Sequence, residues 1–160
     1  MPTPQFILDL RQHVGTAPLF LNGVKSVLFD RREDPRRVLL GQRADNGAWR
    51  LPAGILEPGE QPAPGLVREV LEETGVEMAI DRLVELRTLP MITYPNGDQV
   101  QYLSCVFRGH YVSGAAHVAD DESIAVGWYD LDQLPDGLPD GDHESIKLGL
   151  PLDAPPYFEV

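Results

Sequence analysis

Residues 54–76 read Gly54-Ile-Leu-Glu-Pro-Gly-Glu60-Gln-Pro-Ala-Pro-Gly-Leu-Val-Arg68-Glu69-Val70-Leu-Glu72-Glu73-Thr-Gly75-Val76. The first part of this stretch is rich in glycine and proline, which is typical of a loop, and we predict a loop over residues 53–61. Pro62 or Ala63 then opens a helix, because proline is tolerated in the first helical turn. The helix is predicted to end near Thr74, since Gly75 can adopt the left-handed conformation that follows a last turn.

The second part of the stretch concentrates carboxylates on one helix face. Glu69, Glu72 and Glu73 are spaced i, i+3 and i+4, so their charges repel by a few tenths of a kcal/mol per pair. Glu72 and Glu73 also fall in the last turn, where the helix dipole favours cations. A solvated acidic face is the ordinary explanation for such a run. The alternative is a bound Mg²⁺, which prefers carboxylate and carbonyl oxygens.

The spacing of glycine, glutamate and arginine in residues 54–76 resembles the Nudix box, a motif of a known hydrolase family. That motif requires glycine, five residues, glutamate, seven residues, and then Arg-Glu-aliphatic-any-Glu-Glu-any-Gly-aliphatic. Every specified position is matched between Gly54 and Val76. Residues 49–54 and 128–135 also look like flanking features of the family. The resemblance implies an α/β fold, the Nudix α/β/α sandwich around a mixed β-sheet, in a single domain over residues 1–160.

The resemblance also implies roles for individual residues. Glu69 and Glu73 are the expected main ligands of Mg²⁺ or Mn²⁺, Glu72 is expected to join them, and the backbone carbonyl of Ala53 adds an oxygen. The residues expected to orient these ligands from behind are Gly54, Glu60 and Arg68. The catalytic set implied in this way is Glu69, Glu72, Arg68 and an acid from a later loop.

Glu122 is the first candidate for that later acid, as a distal metal ligand or as the base that activates water. It ends the run Asp120-Asp121-Glu122, which precedes a predicted strand. The alternatives are that a box glutamate activates water and that Glu122 is a solvated loop acid.

Three residues outside the box are candidates for substrate binding. Arg43 and Arg50 could bind phosphate through paired hydrogen bonds, although most arginines only solvate a surface. Tyr94 could stack on a base or pack in the core.

The rest of the chain is predicted to supply the sheet and two further helices. We expect an N-terminal helix over residues 4–14 and a C-terminal helix and extended arm over residues 142–160. A short helical turn is expected over residues 131–134. The predicted strands cover Leu19–Phe29 and residues 38–42, 49–51, 78–87, 99–112 and 124–129.

Composition limits the class of partner. The net charge of −12 repels phosphate backbones, so we expect no nucleic-acid binding. A small nucleotide-like substrate is what the resemblance implies. The single cysteine, Cys105, excludes an intrachain disulfide and a cysteine-based zinc site. The sequence shows no signal peptide or membrane span, which favours a cytoplasmic protein without membrane contact. The resemblance further implies a homodimer.

The expected reaction is metal-dependent hydrolysis of a phosphoanhydride bond in a nucleoside diphosphate linked to another group, of the ADP-ribose or sugar-nucleotide type. Pro90, fifteen residues after Gly75, and the loop 94–98 look like features of the ADP-ribose pyrophosphatase-like subgroup. One alternative is a nucleoside triphosphate pyrophosphohydrolase that removes damaged nucleotides. A nucleotide-sensing module that binds without cleaving is a third reading, disfavoured because the box is intact.

Overall fold

The computed structural model describes residues 3–160, so Met1 and Pro2 of the predicted domain lie outside it. Its three helices are α1 (Gln5–Val14), α2 (Pro62–Thr74) and α3 (Asp140–Gly149). Its strands are β1 (Leu19–Phe29), β2 (Arg37–Arg43), β3 (Trp49–Arg50), β4 (Ala53–Ile55), β5 (Val76–Thr88), β6 (Ile92–Thr93), β7 (Gln99–Gly114) and β8 (Ser123–Asp130). All three predicted helices and six predicted strands are therefore present.

The strands form one mixed sheet. Its main path runs β3-β2-β1-β7-β5, while β4 pairs with β1, β6 with β7 and β8 with β2. The central pair, β1 with β7, is parallel and runs from Leu19 opposite Val100 to Phe29 opposite His110. The other pairs are antiparallel. This confirms the predicted mixed sheet.

Helices cover both faces of the sheet, and the central strand β1 is therefore buried on both sides. Val27 and Phe29 belong to a core cluster that includes Ile146 of α3. Their neighbours on the opposite face, Val24 and Leu28, pack in a second cluster with residues of α2. The alternation follows from the two-residue period of a strand. The α/β/α sandwich is thus confirmed.

One of the smaller predictions was wrong. Residues 53–61 were expected to form a loop throughout, but Ala53–Ile55 is strand β4, because it pairs with Gly23–Lys25 of β1. Residues 131–134, expected to form a short helical turn, contain a single hydrogen-bonded turn, in which the Gln133 N–H donates to the Asp130 carbonyl at 3.0 Å. Strand β6, of two residues, was not predicted.

The C-terminal region is anchored to the sheet at two points. Arg108, fully buried in β7, donates from Nε to the Gly149 carbonyl at 2.9 Å and so fixes the end of α3. The extended arm after α3 adds to the edge of β5, where the Tyr157 N–H donates to the Val84 carbonyl at 2.8 Å. Within residues 3–160, no helix has the length and apolarity needed to cross a bilayer.

Candidate metal and substrate site

Helix α2 brings the box glutamates together, and both of its ends follow from the sequence. Pro62 begins it, and Gly75 ends it in the left-handed conformation with φ 69°. Leu66 and Val70 bury one face of the helix against the sheet. That packing holds the acidic side of the last two turns in place despite its unfavourable charge.

Arg68 is the centre of an ion-pair network across the box. Its Nε donates to Glu60 Oε1 at 2.8 Å and its Nη2 to Glu60 Oε2 at 3.0 Å, a paired arrangement. Nη2 also donates to Glu69 Oε1 at 2.9 Å, and Nη1 donates to Glu72 Oε2 at 3.1 Å. The bonds between Arg68 and Glu60 raise the pKa of Arg68 and lower the pKa of Glu60. Of the predicted orienting pair, Arg68 therefore contacts predicted metal ligands directly, whereas Glu60 is linked to them through Arg68.

Glu69 is buried, with one oxygen satisfied and one not. Its side chain is 1 % exposed, and Oε2 has no hydrogen-bond partner among residues 3–160. Burial is the main cause that raises the pKa of Glu69, and the Arg68 charge opposes it. Gly54 lies against this carboxyl group so closely that a Cβ on residue 54 would be 2.2 Å from Glu69 Cδ. An unpartnered buried carboxylate oxygen is costly unless a ligand completes it.

Glu73 stands one helical turn after Glu69, in a region of concentrated negative charge. Burial, followed by the charges of Glu69 and Asp120, raises the pKa of Glu73 to about 8. The charge of Glu122 acts in the same direction. Near neutral pH these neighbours therefore favour a proton or another cation on Glu73.

The Ala53 carbonyl makes no hydrogen bond to β1 in the pairing of β1 with β4. The Ser26 N–H donates to the Pro52 carbonyl at 2.9 Å, and the Leu56 N–H donates to the Asn22 carbonyl at 3.0 Å. Hydrogen-bonded and non-bonded pairs alternate along an antiparallel ladder, so Ala53 and its partner Lys25 form a non-bonded pair. The Ala53 carbonyl thus points away from β1.

These oxygen atoms are of the kind that ligates a hard divalent cation. Glu69 Oε2 lacks a partner, Glu73 experiences repulsion that a cation would relieve, and the Ala53 oxygen is not used by the β1 ladder. Among the residues that the structure describes, no three His, Cys, Asp or Glu side chains converge in a way that could hold a metal ion. Glu72 is turned toward Arg68 and half exposed.

The loop before β8 carries Glu122 to this region. The Ala44 N–H donates to the Glu122 carbonyl at 2.7 Å, and Arg43 pairs with Ser123 across β2 and β8. Asp120 Oδ1 accepts the N–H of Glu122 at 3.1 Å, which shapes the loop. The structure therefore brings Glu122 into the electrostatic neighbourhood of both Glu73 and Arg43.

The three candidate substrate residues have different positions. Arg43 binds Asp45 through two bonds of 2.9 and 2.7 Å, and this bonding is the main cause that raises the pKa of Arg43. Tyr94 is 39 % exposed, and its hydroxyl lies 3.4 Å from that of Tyr102. Arg50 lies exposed on β3.

Sequence reasoning missed two members of this group. Asp45, two residues after Arg43, was available as an acid near a phosphate-binding candidate but was not considered. Tyr102, near the start of β7, gave no signal separate from that of an ordinary strand aromatic. The Arg43 charge acts on Tyr102, although burial is the main cause that raises the pKa of this tyrosine. Arg43, Tyr94 and Tyr102 thus lie within electrostatic range of one another, and Arg43 is also within range of Glu122.

Comparison with known proteins gives consistent results. The family model described as NUDIX domain matches residues 20–148. The chain is 35 % identical over 127 residues to a MutT-like protein of Streptomyces ambofaciens, covering 79 % of this chain and 75 % of that protein. It is also 35 % identical over 107 residues to the NAD-capped RNA hydrolase NudC of Salmonella paratyphi C. That match covers 66 % of this chain but only 38 % of the relative.

A solved structure described as a NUDIX hydrolase from Nitrosomonas europaea superimposes with a TM-score of 0.64 at 26 % identity. The match covers 81 % of this chain and 88 % of that one.

Proposed function

Because this chain belongs to the Nudix family and is a pyrophosphohydrolase, we propose that it cleaves a nucleoside diphosphate linked to a second group, with Mg²⁺ or Mn²⁺ bound at the box glutamates. ADP-ribose and nucleotide sugars are the proposed substrate class. The NAD-capped RNA hydrolase among the relatives supports this class, since NAD also joins two groups through a diphosphate. Support also comes from the intact box, from Gly54 to Val76.

One observation carries the proposal. A buried carboxylate oxygen without a partner, Glu69 Oε2, lies one helical turn from Glu73, whose pKa is raised to about 8. A fold that only needed a surface helix would gain stability by removing these charges. The proposed ligands of the metal are Glu69, Glu73 and the Ala53 carbonyl, with Glu72 joining when Arg68 releases it.

A bound divalent ion would supply positive charge for the diphosphate oxygens and lower the pKa of water. The water oxygen bonds to phosphorus, the bridging P–O bond breaks, and the leaving phosphate keeps its electron pair. We assign the water proton to Glu122, whose charge acts on Glu73, and the box glutamates are the alternative acceptors. Arg43 exchanges Asp45 for a substrate phosphate, and Tyr94 contacts the nucleoside.

The first experiment is an activity panel with Mg²⁺ and Mn²⁺, using ADP-ribose, nucleotide sugars and nucleoside triphosphates. The proposal expects a nucleoside monophosphate and a phosphorylated second group from the diphosphate substrates. Release of pyrophosphate from triphosphates alone would instead identify a nucleoside triphosphate pyrophosphohydrolase. Binding of ADP-ribose without any turnover would identify a sensing module.

The second experiment removes one proposed ligand. Glu73→Gln is expected to lower turnover by at least about 100-fold, because it weakens the metal site while conserving shape. Glu57→Gln makes the same chemical change at an exposed position that the motif leaves unspecified, and it should keep wild-type turnover. Wild-type turnover in Glu73→Gln would refute the assignment.

Quaternary structure and location stay predictions. We propose a homodimer in the cytoplasm, and light scattering during size-exclusion chromatography tests the first of these directly.

A further inference from the structure

Asp142 is a buried carboxylate of α3, on the face of the sheet opposite α2. It is 1 % exposed. Its Oδ1 accepts a bond from Lys25 Nζ at 2.5 Å, and its Oδ2 accepts the Leu51 N–H at 3.1 Å. One oxygen is therefore used by the central strand β1, and the other by the chain that leads into β4.

Both partners of Asp142 are neighbours of Ala53. Leu51 precedes Ala53 by two residues, and Lys25 lies directly opposite Ala53 in the ladder of β1 and β4. Between them, the Pro52 carbonyl accepts the Ser26 N–H at 2.9 Å. Asp142 thus fixes both strands at the level of Ala53, although it belongs to a distant part of the sequence.

A shift of β4 would reach the box directly. Gly54 lies so close to the Glu69 carboxyl group that no added atom fits between them. Movement of residues 51–54 would therefore change the position of Glu69 and of the Ala53 carbonyl together.

We propose that Asp142 is a positioning residue for the metal site, which places the Ala53 carbonyl and Gly54 against Glu69. This inference rests on the proposed function, since it takes those oxygens as metal ligands. Asp142 itself contacts neither metal nor substrate. Desolvation offsets much of the attraction within this pair, but removal of Asp142 leaves Lys25 without its counterion and lowers stability. Stability and metal affinity are therefore measured separately.

The test measures Mn²⁺ affinity, by electron paramagnetic resonance, in variants shown to be folded by circular dichroism. Asp142→Ala removes both contacts, and its Mn²⁺ affinity is expected to fall by about ten-fold or more. Asp142→Asn keeps an acceptor for Leu51 but loses the charge that holds Lys25, and a smaller loss is expected. Ser145→Ala is the matched control, because the buried Ser145 hydroxyl joins the same helix to Glu85 rather than to β4.

The outcomes separate positioning from stability. If Asp142→Ala and Asp142→Asn melt earlier but bind Mn²⁺ as tightly as wild type, the positioning role is refuted. If Asp142→Ala does not fold, Asp142→Asn decides by the same criterion. A wild-type protein that binds no Mn²⁺, or a Glu73→Gln variant that binds it as wild type does, would instead refute the proposed function.

Discussion

Gly54 lies so close to the Glu69 carboxyl group that no residue with a Cβ would fit at position 54 without a shift. In Gly54→Ala the new Cβ would lie 2.2 Å from Glu69 Cδ and 2.5 Å from Oε2, so the carboxyl group must move. We expect a loss of about 1–3 kcal/mol in the free energy of unfolding. We also expect weaker Mn²⁺ binding by at least about ten-fold, measured by titration.

Gly141→Ala is the control for this substitution. Nothing lies within 4 Å of a Cβ at residue 141, which is in α3, so the variant should be as stable as wild type or slightly more stable. Normal Mn²⁺ binding in Gly54→Ala would show that the close fit of Gly54 against Glu69 is not needed for metal binding.

Glu73 illustrates a conflict between stability and function at one residue. Without metal, its charge is opposed by Glu69 and Asp120. We therefore expect Glu73→Gln to stabilise the protein in EDTA at pH 8.5 by about 1 kcal/mol, or roughly 3 °C in Tm. In saturating Mn²⁺ the order should reverse, because only wild type gains binding free energy. Calorimetry in the two buffers measures both values, and a variant less stable than wild type in EDTA would contradict the account.

The sequence predicted these residues unevenly. The spacing of Glu69, Glu72 and Glu73 was enough to predict a shared face, because helix geometry alone determines it. The sharing of Arg68 among three glutamates depends on where the preceding loop returns, which no local pattern encodes. The bond from Asp142 to Leu51 was missed for the same reason, since it joins residues from distant parts of the chain.

At the scale of elements, the loop between β1 and β2 depends on one carboxylate. Asp30 Oδ1 accepts the N–H groups of Arg36 and Arg37 at 3.0 and 3.1 Å. Burial acts to raise the pKa of Asp30, but these bonds and nearby arginine charges outweigh it, so the pKa is lowered from 3.8. The ionised form is therefore the one that stabilises the loop.

The sign of the pH dependence follows from that shift. A depressed folded-state pKa gives stability that is present above pH 3.8 and lost as the pH falls through the folded-state value. We expect Asp30→Asn to lose about 1 kcal/mol at pH 7 and much less at pH 2.5, measured by urea unfolding. Asp34→Asn, at an exposed ion pair in the same loop, should change stability by less than about 0.5 kcal/mol. An Asp30→Asn loss that does not change with pH would be contrary to this expectation.

Elements with strong local signals were predicted, whereas the two short strands β4 and β6, which depend on pairing alone, were not. Helix α2 was predicted at both ends because Pro62 and Gly75 are local signals. Strand β4 contains Gly54 and follows Pro52, which is loop-like chemistry, and it is extended only because β1 pairs with it. Strand β6 is too short to show any period.

At the scale of the molecule, the C-terminal arm completes an edge of the sheet. Tyr157 is bonded to β5 through its N–H to Val84 at 2.8 Å and its carbonyl to Leu86 at 3.0 Å. Its ring lies 5.3 Å from the Arg87 guanidinium carbon. Deletion of residues 155–160 is expected to lower stability by about 1–2 kcal/mol and to increase self-association, because part of the β5 edge becomes unpaired.

Thermal melting and light scattering measure these two effects. Deletion of residues 158–160 alone keeps the Tyr157 bonds and serves as the control. Equal behaviour of the two truncated proteins would show that the arm does not protect the edge.

The parallel pairing of β1 with β7 has a consequence for how the chain reaches this structure. Leu19 meets Val100 and Phe29 meets His110, so partners stand 81 residues apart along the whole ladder. Bringing two strands together over such a separation costs chain entropy before the contacts between them form. Folding is therefore expected to be slow. During synthesis, β1 cannot pair with β7 until β7 has left the ribosome. In that interval its apolar residues are exposed to chaperones and to other nascent chains.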